Sequence, residues 1–131
     1  MHLWYYRPTT VDTEIYTLKI IGNVINNGVI KDDYDLSNPL NNDDLRILIT
    51  GNIYNHGVWE NNFTNLVGTT NQFISSDSTK IFDCYFTSLK TGGNILATSN
   101  LTITKDFNLN GSILDMQDHK LTISGWLYNG T

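Results

Sequence analysis

The stretch Gly22–Ile30 reads GNVINNGVI, and Gly51–Trp59 reads GNIYNHGVW, the same phrase 29 residues further along. Glycine answers glycine at Gly22/Gly51 and Gly28/Gly57, and asparagine answers asparagine at Asn23/Asn52 and Asn26/Asn55. The register holds outward, with LKII (Leu18–Ile21) over ILIT (Ile47–Thr50) and KDD (Lys31–Asp33) over ENN (Glu60–Asn62). Self-similarity at a fixed period of this size points to a repeat architecture before any single-site reading. Weaker copies follow. LTISGWLYNGT (Leu121–Thr131) lies over Ile47–Gly57 and shares Ile123, Gly125, Tyr128 and Asn129 with it, and LTITKDFNLNGSIL (Leu101–Leu114) is a looser relative.

Composition sets the class. The 131 residues are 40% hydrophobic, which is ample for one core-bearing domain. The polar remainder is crowded with Asn and Thr and short of Ala, Glu and Lys, a mixture that disfavours helix. Thr, Ile, Val and the aromatics suit strands, and Asn and Gly suit the turns between them. Period-2 alternation recurs at Leu45, Ile47 and Ile49, at Leu101, Ile103, Phe107 and Leu109, and at Leu121 and Ile123. The chain therefore reads as all-β.

Two all-β solutions accommodate the pattern. In an antiparallel β-sandwich, strands need not resemble one another. In a β-solenoid, each position sits about 4.8 Å above its equivalent in the next coil, so apolar columns, asparagine ladders and corner glycines recur of necessity. The solenoid accounts for the repeat, and at 20–30 residues per coil the chain holds about five rungs. Residues 1–17 read as irregular or capping, and 31–44 and 62–79 as loop excursions from the stack.

Lys80–Thr131 also resembles a known family. Phe86/Leu89, Gly92-Gly93, Leu101-Thr102-Ile103, Phe107-Asn108-Leu109-Asn110-Gly111, Leu114-Asp115, His119-Lys120-Leu121-Thr122-Ile123 and Tyr128-Asn129-Gly130-Thr131 match repeat steps of secreted, surface-attached right-handed β-helix proteins of Bacteroidetes. Gln72-Phe73-Ile74-Ser75-Ser76 is similar to the turn that precedes the Phe strand in those repeats. The resemblance covers about residues 18–131, and the acidic stretch Lys31–Arg46 departs from it. It implies a right-handed parallel β-helix and an adhesin-like or stalk segment of a cell-surface protein, with no catalytic residues.

Charge and motifs bound the function. With a net charge of −5 and 8 Lys+Arg scattered singly, no basic face for nucleic acid is expected. No apolar run is long enough to span a membrane, and Met1–Thr10 does not read as a secretory signal. An extracellular chain would then be a piece of a longer protein. Cys84 alternates with Phe82 and Phe86 and reads as a buried, inert thiol. Asp32, Asp33, Asp35, Asp43 and Asp44 form the one acidic cluster; its functional reading is calcium, and its plain reading is a solvated loop. No other cofactor is called for. Trp4, Tyr5, Tyr6, Trp59 and Trp126 are the candidate glycan-stacking aromatics, with core filling or end-capping as their structural alternative. His56 and His119 sit in turn contexts.

The expected function is a structural and adhesive module, a rigid stalk that offers a surface to a glycan or a host or cell-surface protein and that can self-associate through its solenoid ends or edges. A polysaccharide-active β-helix lyase or hydrolase is the enzymatic alternative, and a trimeric viral fibre segment the third.

Overall fold

The computed structural model describes residues 15–32 and 44–130. All regular structure among them is β, and every strand pairing is parallel. The fifteen strands climb as a three-sided solenoid. The first side stacks β1 (Ile15–Ile20), β4 (Asp44–Ile49), β7 (Phe63–Leu66), β9 (Tyr85–Ser88), β12 (Phe107–Asn108) and β15 (Leu127–Tyr128) in one six-stranded sheet. The second side stacks β2 (Val24–Asn26), β5 (Ile53–Asn55), β8 (Gln72–Ser76), β10 (Ile95–Ala97) and β13 (Leu114–Asp115). The third consists of β3 (Val29–Lys31) with β6 (Val58–Glu60) and β11 (Leu101–Ile103) with β14 (Leu121–Ile123). Phe82 joins these two pairs, bridging to Trp59 on one side and Ile103 on the other. Five complete rungs result, and β15 begins the first side of another. Parallel strands joined by crossovers within one sheet coil right-handedly almost without exception, which is the hand expected for such a chain.

The core is a set of columns, each built from one residue per rung. Ile47, Thr64, Phe86 and Phe107 follow one another on the first side, as do Ile49, Leu66 and Ser88. Ile53, Ile74 and Ala97 do so on the second side, and Trp59, Phe82 and Ile103 on the third. All of these are buried. Each large apolar side chain so buried contributes roughly 1.5–3 kcal/mol relative to exposure. The aromatics meet in the centre: Trp59 and Phe82 stand edge to face at 5.5 Å, Phe82 and Phe86 at 5.2 Å, and Phe86 and Phe107 are stacked at 5.2 Å.

Asparagines form the ladder the repeat implied. Asn26 Nδ2 donates to Asn55 Oδ1 at 3.0 Å and to the Val58 carbonyl at 2.8 Å. Asn55 Nδ2 donates onward to the Ile81 carbonyl at 3.3 Å. Each side-chain carbonyl also accepts the N–H two residues on, at Gly28 and Gly57. A second, outer ladder runs along the other corners, where an Asx oxygen accepts the N–H of the next rung. Asn23 accepts from Asn52, Asn52 from Phe73, Asn71 from Asn94, Asn100 from Lys120 and Asp106 from Trp126.

Three expectations change. Residues 62–79 are not a loop excursion: they carry β7 and β8 and form most of the third rung. Their inward positions include Thr64 and Gln72, which hide the strand pattern. Thr64 accepts the Trp59 Nε1–H at 3.0 Å and donates to Asn61 Oδ1 at 2.9 Å; Gln72 Nε2 donates to the Ile49 and Gly51 carbonyls at 2.9 and 2.8 Å. Within residues 1–17, Ile15 to Thr17 already belong to β1, because they pair with Asp44 to Arg46. Finally, Leu121–Thr131 aligns with Ile47–Gly57 in sequence but not in place. Gly51 turns the chain from first side to second, whereas Gly125 turns it from third side to first.

The glycines of the opening phrase also act differently from one another. Gly22 occupies φ 133°, a conformation that side-chain-bearing residues rarely adopt. Gly57 is needed for space instead, since a Cβ there would collide with the Gly28 carbonyl oxygen of the rung beside it, while a Cβ on Gly28 meets nothing within 4 Å. Gly57→Ala is therefore expected to lower the stability measured by urea unfolding by about 1–3 kcal/mol, and Gly28→Ala to lower it much less. Equal effects would contradict the stacking account.

Candidate ligand-binding face

Residues that alternate with the inward columns of the six-stranded sheet point outward and form columns of their own. One runs Lys19, Leu48, Asn65, Thr87, Asn108 and Tyr128. The other runs Thr17, Arg46, Phe63 and Tyr85, and continues by the same register to Asp106 and Trp126. In this second column the side chains touch. The Arg46 guanidinium carbon stands 5.4 Å from the centre of the Phe63 ring. Phe63 and Tyr85 stack at 6.0 Å with 30° between their planes. The Lys105 ammonium closes the series 5.3 Å from the Tyr85 ring centre. Cation, ring, ring and cation thus follow one another along the solenoid axis. Each cation–ring contact is worth about 0.5–1 kcal/mol at an exposed site, enough to bias two long side chains toward fixed positions.

The rings spend their faces on one another and on the cations, so Phe63 and Tyr85 present edges to solvent. Trp126 differs: it is 70% exposed and stands two rungs beyond Tyr85, roughly 10 Å along the axis. Tyr128, in the neighbouring column, is also exposed. In that neighbouring column the Asn108 amide and the Thr87 hydroxyl are part-exposed on the preceding rungs, while Asn65 is buried.

Of the aromatics expected from sequence to meet a ligand, Trp126 lies on this face. Trp59 does not. It is 1% exposed, packed against Phe82 with its indole N–H donated to Thr64, so the core-filling alternative holds for it. Trp4, Tyr5 and Tyr6 lie outside the described residues. Arg46, Phe63, Tyr85 and Lys105 were not singled out by sequence. The signal that finds them is the outward phase next to buried Thr64 and Phe86, which becomes visible once the rung lengths are known.

The acidic cluster divides in the same way. Asp33, Asp35 and Asp43 lie outside the described residues. Asp32 and Asp44 bracket that segment and meet at Asn62: Asp32 Oδ2 accepts the Asn62 N–H at 2.7 Å and the Leu45 N–H at 3.3 Å, and Asp44 Oδ1 accepts the Asn62 Nδ2–H at 2.8 Å. These two carboxylates tie the end of β3 and the start of β4 to the corner that precedes β7. Among the described residues no group of three or more His, Cys, Asp or Glu side chains is placed to hold a metal ion.

The histidines take corner roles. The His56 N–H donates to the Asn26 carbonyl, and its ring Nδ1 lies 2.8 Å from Asp77 Oδ1. The His119 N–H closes a turn on Met116 that passes through positive φ at Gln117 and Asp118. A shallow cleft of ≈ 270 Å³ lies on the third side, lined by Val58 and Ile81 together with Glu60, Thr79, Lys80 and Asp83. Comparison with family models, with curated proteins and with solved structures finds no match.

Cys84 is fully buried, and that burial pushes its thiol up to about 12, with the neighbouring Thr64 side chain opposing the shift. The thiol is protonated throughout the neutral range. In the folded protein at pH 8 it is expected to take up no iodoacetamide over a period in which the urea-unfolded chain takes up one equivalent, as read by mass spectrometry. Labelling at equal rates would contradict its place in the core.

Proposed function

We propose that this chain is a structural and adhesive module, a rigid β-solenoid segment of an extracellular bacterial surface protein whose six-stranded face holds a glycan. The observation that carries the reading is the outward face itself. An exposed indole and phenol, a strip of ring edges, and amide and hydroxyl groups repeat at rung spacing along one flat sheet. A polymer of sugar rings offers matching chemistry, with apolar ring faces for aromatic contact and hydroxyls for amides and hydroxyls. Stacked rungs suit the stalk role, because parallel ladders on all three sides tie each described rung to the next. The resemblance to surface-attached β-helix repeats points the same way and sets the expected location.

The test is a glycan array probed with the purified chain, followed by titration of the hits. Trp126→Ala and Tyr85→Ala are each expected to weaken binding about tenfold, in the range of 1–1.5 kcal/mol per aromatic contact, with Trp126→Ala leaving thermal stability almost unchanged. Absence of any glycan hit, or full affinity in both variants, would sink the reading. Release of reducing or unsaturated sugar from a bound polymer would reassign the chain to the polysaccharide-active class.

A further inference from the structure

The glycan-binding reading leaves open what kind of sugar polymer the face would take. The charge pattern narrows it, and we infer that the face selects an acidic polysaccharide, whose carboxylate or sulfate groups are met by Arg46 and Lys105 at the two ends of the Phe63–Tyr85 stack. The inference rests on the proposed function and deepens it.

Three observations carry it. First, the protein is acidic overall, at −5, yet the six-stranded face gathers cations. Lys19 and Arg46 point outward from it, and Lys105 reaches over it to Tyr85. The carboxylates among the described residues sit mainly elsewhere. Glu60 and Asp83 belong to the third side, Asp115 to the second, and Asp77 pairs with His56. Three lie at the face and already accept hydrogen bonds, Asp32 from the Leu45 and Asn62 N–H groups, Asp44 from the Asn62 amide and Asp106 from the Trp126 N–H.

Second, neither Arg46 nor Lys105 has a carboxylate within salt-bridge distance among the described residues, where the single such pair is His56–Asp77. Arg46 goes further, since its Nε–H is buried without a hydrogen-bond partner. The Nε–H itself is closed to a ligand, but the charge it belongs to has no carboxylate partner among the described residues, so an anion at the outer N–H groups of the guanidinium meets no competitor there.

Third, the aromatic pair holds both cations in place. Arg46 lies against one face of the stack and Lys105 against the other, so a ligand does not have to order two long free side chains. The cations are separated along the axis by about three rungs, some 15 Å. A compact anion does not span that interval, whereas an extended polyanion does. Between them Thr87 supplies a neutral polar group in the adjoining column. The acidic character of the rest of the molecule disfavours nucleic acid, whose dense phosphate charge is held by broad basic surfaces.

Affinity electrophoresis of the whole chain through gels containing polygalacturonate, heparin, neutral dextran or duplex DNA tests the inference. Retardation is expected with polygalacturonate or heparin and not with dextran or DNA, fading as NaCl is raised from 50 to 500 mM because screening shortens the reach of the charges. Arg46→Gln combined with Lys105→Gln is expected to weaken retention about tenfold, with circular dichroism confirming that the strand signal survives. Lys105→Gln alone and the NaCl series on the unaltered chain keep the test decisive if the double variant misfolds. Binding of neutral glycans through Trp126, with no preference for acidic polymers and no salt dependence, would overturn this inference and leave the proposed function standing. Retention by DNA equal to that by heparin would also overturn it. Failure to bind any glycan, neutral or acidic, would bring down both.

Discussion

Each rung must approach the next to about 4.8 Å at every point of its circuit, corners included. Strands meet this demand easily, because parallel pairing needs no other spacing. Corners do not, since a turn with side chains on it is thicker than a strand. The chain meets the difficulty with two devices. Glycine stands where backbone faces backbone, as Gly57 does against Gly28 and Gly51 against Gly22. Asparagine stands where turning leaves a donor or acceptor unmatched, and its amide supplies both to the neighbouring rung, as Asn26 and Asn55 do. The phrase that opens the sequence is the written form of that constraint.

Once corners stack, the inner and outer columns follow. Inside, Trp59, Phe82, Phe86 and Phe107 form a continuous aromatic series through four rungs. Polar residues that interrupt the columns are satisfied within the stack: Thr64 by Trp59 and Asn61, Gln72 by two carbonyls and Lys90, Ser88 by Ser112. Outside, the same registration brings Arg46, Phe63, Tyr85 and Lys105 into contact although the first and last stand 59 positions apart in the chain. The candidate face is thus a consequence of stacking, not a separate invention of one loop.

This explains what could be read in advance. Alternation at Ile47 and Ile49, at Phe82, Cys84 and Phe86, and at Leu101, Ile103 and Phe107 identified residues that are indeed buried, and the repeat identified the solenoid. The third rung was illegible because two of its inward positions are Thr64 and Gln72 and its third side is the single bridging residue Phe82. The outward face was illegible for a different reason. Arg46 to Phe63 and Phe63 to Tyr85 are steps of unequal length, since each corner adds or drops residues, and a column with irregular spacing leaves no period. Trp59 carried two readings for want of its phase, and core filling holds because its neighbours Val58 and Glu60 are the outward residues. Trp126 is exposed on the outer side of the six-stranded sheet, placed there by the stacking of β15 on β12.

The central claim is therefore registration: Thr87 stands beside Asn108, which stands beside Tyr128, on the outer face of one parallel sheet. Cysteine pairs test it directly in a Cys84→Ala background. Thr87→Cys with Asn108→Cys places two thiols one rung apart, within the separation that a disulfide spans, whereas Thr87→Cys with Tyr128→Cys places them two rungs apart, near 10 Å and out of reach. Mild oxidation at low protein concentration, followed by mass spectrometry, is expected to close the first pair within the monomer and leave the second reduced. A disulfide in the second pair and none in the first would contradict the parallel stack on which the fold and the proposed face both depend.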